Sequence, residues 1–218
     1  MTGVQTCALP IYGTRIAFAS ERDGAGDIYV MNANGSNLRR LTNSEDKEGT
    51  SLEWSPDGTR IAYVAIKPDG NWEVRIIGLE VGAQPQDFAH RTADEWQPRW
   101  SPDGRSIAYT SYRSGAPDIM ISNIYAGTLE QPTKGVGQNY LPVFSPDGTR
   151  LAFVSNRDGN NEIYVMNRDG SNLTRLTNNP AIDVTPTWSP AGTQIAFTSE
   201  RSGSPQIYVI NEIGRAHV

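Results

Sequence analysis

The tetrapeptide Ser55-Pro56-Asp57-Gly58 returns as Ser101-Pro102-Asp103-Gly104 and Ser145-Pro146-Asp147-Gly148, and once more, altered, as Ser189-Pro190-Ala191-Gly192. The intervals between the four serines are 46, 44 and 44 residues. A fixed period of this length is typical of a repeat architecture. In a turn, proline presets φ at the first central position, aspartate suits the second, and glycine adopts positive φ. We therefore expect a tight hairpin turn in each repeat, with these structural residues: Pro56, Asp57, Gly58, Pro102, Asp103, Gly104, Pro146, Asp147, Gly148, Pro190 and Gly192.

Two predicted strands flank each turn. An aromatic residue ends the first strand, immediately before the turn serine, and we expect these aromatic residues to form the core of each repeat: Trp54, Trp100, Phe144 and Trp188. The second strand alternates, as in Arg60-Ile-Ala-Tyr-Val-Ala65. The alternation places large apolar residues on one face and Ala62 on the other. A small residue on one face suits sheets that stack closely.

Two more strands complete each repeat. The run Ile163-Tyr-Val-Met166 is apolar throughout, which indicates a strand buried on both faces. Asn167-Arg-Asp-Gly170 is a hairpin turn signal, and Leu173 to Thr177 alternates between apolar and polar residues. Four antiparallel strands at a period near 44 residues predict the blade of a β-propeller.

The expected fold is an all-β propeller of four-stranded antiparallel blades. About four to five blades are present, and we expect an incomplete ring. A parent with six or more blades is what the family resemblance described below implies. The ends differ from the repeat and look like translations of a common sequencing-adapter oligonucleotide, which would make them artefacts. The predicted division is an adapter-like segment 1–11, a partial blade 12–50, blades 51–96, 97–140 and 141–184, a partial blade 185–212, and an adapter-like segment 213–218.

Composition narrows the function class. With 37% hydrophobic and 20% charged residues among its 218, the chain is expected to be globular. It contains no apolar run of about 18 residues, so we predict no membrane span. The net charge of −5 offers no basic surface for nucleic acid.

The repeat pattern resembles a known family. Pro-x-Trp-Ser-Pro-Asp-Gly, then Ile-Ala-Phe, Asp-Ile-Tyr-Val-Met-Asn and Arg-Leu-Thr resemble the TolB-like propeller repeat, a relative of the WD repeat, over residues 12–212. The resemblance implies a non-enzymatic scaffold for protein–protein interaction in the bacterial envelope, periplasmic or secreted. Its partner would be an envelope protein or a lipoprotein, as TolB binds the lipoprotein Pal. Similar repeats also form the propeller of prolyl-oligopeptidase-like serine peptidases, where it gates substrate access, and a channel-site propeller lyase is a further alternative.

Catalytic residues are not apparent in the sequence. His90 is interpreted as a surface loop residue, and no Gly-x-Ser-x-Gly elbow is present. Zinc would need clustered histidine or cysteine, which the chain lacks. We therefore expect no enzymatic activity in this segment and no cofactor, with Ca²⁺ in the channel as the one alternative.

The start of each first strand offers a candidate binding site. Glu95, Asn139 and Asp183 stand three residues before the strand proline, beside Trp96 and Tyr140. If the first strand is innermost, these residues form the rim of the central channel. One hypothesis is that this rim grips a partner segment, or a Ca²⁺ ion through its oxygen atoms. The other is that the acidic loops are only a solvated face.

The loop after the second strand carries a recurring arginine and acid. The pairs are Arg22 with Asp27, Arg113 with Asp118, and Arg157 with Glu162. Because they recur with the repeat, we predict that each pair forms a salt bridge that braces its hairpin.

Overall fold

The computed structural model describes residues 7–8, 13–24, 26–87 and 93–212, and all regular structure in these ranges is β-strand. His90 and most of the two adapter-like segments lie outside the described residues. The chain forms two compact units, residues 1–100 and 101–218.

The first unit contains two four-stranded antiparallel sheets and one further strand. The sheet orders are β1-β2-β3-β4 and β5-β6-β7-β8, and strand β9 packs against β5, β6 and β7. The strands are β1 (Cys7–Ala8), β2 (Arg15–Ser20), β3 (Asp27–Asn32), β4 (Arg39–Arg40), β5 (Lys47–Trp54), β6 (Arg60–Ile66), β7 (Trp72–Gly78), β8 (Gln86–Asp87) and β9 (Glu95–Trp100).

The second unit repeats the pattern. Strands β10 to β12 pair in sequence, β13 to β16 form a four-stranded sheet, and β17 to β19 form a three-stranded one. The strands are β10 (Ser106–Ser111), β11 (Asp118–Asn123), β12 (Leu129–Glu130), β13 (Asn139–Phe144), β14 (Arg150–Ser155), β15 (Glu162–Asn167), β16 (Thr174–Arg175), β17 (Asp183–Trp188), β18 (Gln194–Ser199) and β19 (Gln206–Asn211). The predicted all-β class with four-stranded antiparallel sheets is confirmed.

The core of each unit lies between consecutive sheets. In the first unit, Ala17 and Ile28 of one sheet pack with Trp54, Ile61 and Tyr63 of the next. In the second unit, Ala152 and Ile163 pack with Ile195, Phe197 and Ile210. The alanine face of one sheet thus receives the large side chains of the following one, which explains the alternation of the second strands.

The last sheet, β17–β19, shows how much of the burial of apolar side chains depends on this packing. Ile163 and Val165 are 0% and 5% exposed, whereas Ile207 and Val209, at the equivalent positions of β19, are 80% and 55% exposed. No further sheet covers β19 within the described part of the second unit. Burial of these apolar strands therefore comes from a neighbouring sheet and not from the strand's own sheet, as in other repeat proteins.

The aromatic residues before the turns are held by arginines of the preceding repeat. Trp54 and Trp100 are buried, and Trp188 is half-buried. A guanidinium group lies over each ring: Arg15 at 5.1 Å from the Trp54 centroid, Arg60 at 5.2 Å from Trp100 and Arg150 at 5.0 Å from Trp188. Cation–π contacts of this kind are favourable by about 0.5–2 kcal/mol.

In one repeat the arginine over the aromatic ring comes from a different position. Ser106 stands where three of the other repeats have arginine, namely Arg15, Arg60 and Arg150. Arg168 lies over the buried ring of Phe144 instead, at 5.8 Å, and donates a hydrogen bond of 2.8 Å to Ser106 Oγ. The missing arginine is thus replaced by one from another strand connection.

The aspartates of the first three tetrapeptides do more than favour a turn, as Asp147 shows. The Gly148 amide donates to the Ser145 carbonyl at 2.8 Å, with φ of 73° at the glycine. The Asp147 Oδ1 atom also accepts hydrogen bonds from Ser145 Oγ and from the amide and hydroxyl of Thr149, at 2.5, 3.0 and 2.9 Å. These bonds stabilise the carboxylate form and lower the pKa of Asp147 from 3.8 to about 2.

This lowered pKa predicts an acid-dependent loss of stability. Because the folded-state pKa lies below the unfolded value, Asp147 stabilises the fold fully above about pH 4, and the contribution disappears as pH falls through about 2. Since the side chain is exposed, we expect it to contribute only about 1 kcal/mol. Urea unfolding of Asp147→Asn and wild type should differ at pH 6 and converge near pH 2. A difference that persists unchanged at pH 2 would contradict the assignment.

Candidate functional site

Strands β9, β13 and β17 each begin with a buried polar residue. Glu95, Asn139 and Asp183, predicted to form the rim, are all buried, as is Glu48 of β5. In the second unit, Asn139 Oδ1 accepts from Arg157 and Asp183 Oδ2 accepts from Arg201, both at 2.8 Å. The polar ends of these two residues therefore bind to arginines of their own unit.

These arginines are fixed from several sides. The Arg157 guanidinium lies 5.6 and 5.0 Å from the ring centroids of Phe153 and Tyr164, and its Nε donates to Ser155 Oγ at 3.0 Å. Arg201 makes the same contacts with Phe197, Tyr208 and Ser199. Recurrence in two sheets identifies this arrangement as a structural brace.

The predicted arginine–acid salt bridges were wrong. In the described part of the chain none of the three pairs forms, because Arg22 and Arg157 fold back over aromatic rings of their own sheets. The acids bind elsewhere. Asp27 pairs with Arg40 at 2.5 Å and Glu162 pairs with Arg175 at 2.9 Å.

Sequence reasoning also missed a recurring threonine. Thr42, Thr133 and Thr177 are buried after the fourth strand, and each donates its hydroxyl to the acid that begins the third strand: Asp27, Asp118 and Glu162. Each threonine Oγ1 also accepts a backbone amide hydrogen, as from Ile119 at 2.8 Å. The recurring threonines at the ends of the fourth strands were the available signal.

The first strands of the repeats, β5, β9, β13 and β17, each contain a bulge that no sequence pattern predicts. Ser51, Gln97, Leu141 and Thr185 have φ between 54° and 56°, in the left-handed region that residues other than glycine rarely adopt. The pairing register shifts at these points, for example between Tyr140 and Val143. A bulge of this kind redirects the neighbouring side chains.

Two aromatic groups stand beside the bulges. Trp96 is partly exposed and stacks on Trp72, with ring centroids 5.2 Å apart and planes at 27°. Tyr140 is partly exposed, and its pKa is raised by burial and by the nearby Tyr112. Of the five predicted rim residues, Trp96 and Tyr140 are the two whose side chains reach solvent. Their role in partner binding stays a prediction.

Among the described residues no group of three or more histidine, cysteine, aspartate or glutamate side chains could hold a metal ion. The hypothesis of Ca²⁺ in the channel stays untested. The same residues include no helix with the length and apolar character needed to span a bilayer.

Comparison with known proteins identifies the family. The model of the TolB beta propeller domain matches residues 59–217. The chain belongs to the TolB beta propeller family. A curated relative, the protein TolB homolog of Chlorobaculum tepidum, is 34% identical over 93 residues, which are 40% of this chain and 20% of the relative.

Solved structures share the fold over nearly the whole chain. A TolB candidate from Agrobacterium tumefaciens superposes with a TM-score of 0.82 at 23% identity, covering 99% of this chain and 79% of that protein. TolB from Acinetobacter baumannii gives 0.79 at 21% identity, covering 98% and 53%. The chain thus spans about half the length of that TolB and a fifth of the curated relative.

The same fold occurs in enzymes. An oligogalacturonate lyase from Vibrio parahaemolyticus gives a TM-score of 0.76 at 17% identity, covering 97% of this chain and 62% of that protein. A puromycin-hydrolysing peptidase from Mycobacterium tuberculosis gives 0.79 at 17% identity, covering 98% and 37%. At such identities the similarity establishes the fold alone, because one propeller fold serves many functions.

Proposed function

We propose that this TolB-family propeller segment is a non-enzymatic scaffold that binds a protein partner in the bacterial envelope. The proposed location is the periplasm, and the proposed partner class is an envelope protein or a lipoprotein such as Pal. Membership of the TolB family supports this assignment over the peptidase and lyase alternatives.

One geometric observation supports the proposed binding surface. The polar residues that recur at the strand starts are buried braces, whereas the next position varies between repeats, with Trp96, Tyr140 and Val184. A partner site is normally made once, while a structural feature is made in every repeat. In each unit the partly exposed aromatic residue, Trp96 in the first and Tyr140 in the second, therefore fits a contact with a partner better than its neighbours do.

Titration calorimetry with purified Pal tests the proposal. We expect soluble Pal domains from A. baumannii and A. tumefaciens to bind this chain with a Kd of about 1–10 μM, a free energy of about −7 to −8 kcal/mol. Tyr140→Ala should weaken binding at least about tenfold, as for an aromatic anchor.

Tyr125→Ala is the matched control, because Tyr125 is exposed but lies in the turn between β11 and β12. Its affinity should equal that of wild type. Absence of binding to both Pal domains, or equal loss in the two variants, would refute the proposed surface.

A further inference from the structure

The stacked pair Trp72–Trp96 belongs to no recurring structural device. Trp72 begins β7 and precedes Glu73, and the equivalent residues of the other repeats are Gly26, Pro117, Asn161 and Pro205. Both tryptophans are partly exposed. A large apolar side chain found at this position in a single repeat indicates a local function.

A carboxylate is fixed beside the backbone of Trp72. Asp94 is partly exposed and lies in the connection that leads into β9, and its Oδ1 atom accepts a hydrogen bond of 3.1 Å from the Trp72 backbone amide. Asp69, in the loop before Trp72, is exposed as well. The nearby cation Lys67 is bound to Glu73 at 2.5 Å. Among the described residues, Asp69 and Asp94 thus add negative charge to the two loops that flank the pair, while Lys67 is bound to Glu73.

Elsewhere in the protein, an aromatic ring next to a carboxylate binds an arginine side chain. In the second unit Arg201 lies 4.6 Å from the ring centroid of Tyr208 and donates to the Asp183 carboxylate at 2.8 Å. In the first unit the two kinds of contact are made by different arginines: Arg40 binds the Asp27 carboxylate, and Arg15 lies over Trp54. An aromatic face next to a carboxylate binds a guanidinium group by cation–π attraction and charge-assisted hydrogen bonds. Trp72, Trp96 and Asp94 present the same two elements at the surface.

We propose that Trp72, Trp96 and Asp94 form a docking site for an arginine side chain of a partner polypeptide. The inference rests on the proposed scaffold function and names the chemistry of the partner segment. The planar guanidinium packs on the solvent-accessible part of the indole pair and donates to the Asp94 carboxylate. Lysine fits less well, because its compact ammonium is more strongly hydrated and does not stack.

Labelled peptides test the site directly on the intact chain. The probe is a fluorescent Gly-Arg-Gly-Arg-Gly peptide, and its comparison is the same peptide with citrulline, which keeps the shape of arginine without its charge. By fluorescence anisotropy the arginine peptide should bind at least about tenfold more tightly, and added salt should weaken it.

Two variants that each remove one negative charge distinguish binding at this site from attraction by the overall charge of the protein. Asp94→Asn keeps a carbonyl oxygen for the Trp72 amide and should weaken the arginine peptide about three- to tenfold. Asp169→Asn removes an exposed acid from a turn of the second unit, where the equivalent turn of the first unit has Asn34. This control should bind like wild type. Trp96→Leu should lose affinity while its thermal midpoint reports any loss of folding.

Several outcomes would overturn the inference. Equal affinity for the arginine and citrulline peptides would show that no guanidinium site exists, and equal loss in Asp94→Asn and Asp169→Asn would show attraction by net charge alone. Tighter binding of a neutral oligosaccharide would make the pair a carbohydrate platform. If Pal binds and the arginine peptide does not, the inference fails and the proposed function stands. Selective arginine binding without Pal binding leaves this site intact and removes the proposed partner.

Discussion

Replacing Trp54 by alanine should lower the free energy of unfolding by about 3–5 kcal/mol, the range for a large aromatic residue removed from a packed core. Trp54 is 6% exposed and packs in one cluster with Ala17, Ile28 and Val30 of the preceding sheet and with Ile61 of its own. Its removal opens a cavity between the two sheets, in the cluster that packs them together. Urea unfolding, followed by far-ultraviolet circular dichroism, measures the change.

Trp188→Ala is the matched control for this prediction. Trp188 holds the same position in the last sheet, and an arginine lies over its ring at nearly the same distance, 5.0 Å against 5.1 Å at Trp54. The cation–π contribution therefore cancels in the comparison. Trp188 is only half-buried, so its loss should cost about half as much. Equal costs at the two positions would show that burial between sheets does not decide the contribution.

Gly49→Ala should be about as damaging, at roughly 3–5 kcal/mol, for a different reason. Gly49 has φ of +99°, and a Cβ atom added there would lie 2.3 Å from the Ala19 Cβ of the neighbouring sheet. Backbone strain at a positive φ costs of order 1–3 kcal/mol, and overpacking adds typically 1–3 kcal/mol. The clash is with a short side chain on a strand, which cannot move aside alone.

Gly70→Ala separates strain from steric clash. Gly70 has a similar φ, +90°, but no atom lies within 4 Å of its added Cβ. Only the strain component remains, so we expect a loss of about 1–2 kcal/mol. If both alanine variants lose the same stability, close approach between the sheets at Gly49 is not the cause.

Local sequence was informative wherever a residue acts through its own backbone. The turns at the tetrapeptides and the alternation of the second strands follow from properties of proline, glycine and alanine, and these were sufficient to predict the all-β class. The resemblance of the repeat supplied the family. The candidate site was predicted only in part: the positions at the strand starts were found, but not that Asn139 and Asp183 are bound to arginines.

The three predicted salt bridges that do not form show why the arginine contacts could not be predicted. Arg22 and Asp27 are close in sequence, yet the acid pairs with Arg40 from another strand. Charge spacing along the chain does not determine partners, because a nearby ring offers arginine a competing site. The bulge residues gave no signal either, since Gln97 and Leu141 hold positive φ only because the surrounding pairing imposes it.

Sequence alone therefore determined the repeat, the turns, the strand faces and the family, because each depends on short-range geometry that residue type controls. Tertiary structure decided which repeated residues are buried, which acid meets which arginine, and that Trp72 stacks on Trp96 beside Asp94. Residues 72 and 96 lie in different strands, and their contact arises only when neighbouring strands pack. The physical reason is that burial and pairing are properties of the space between sheets, which no single segment contains.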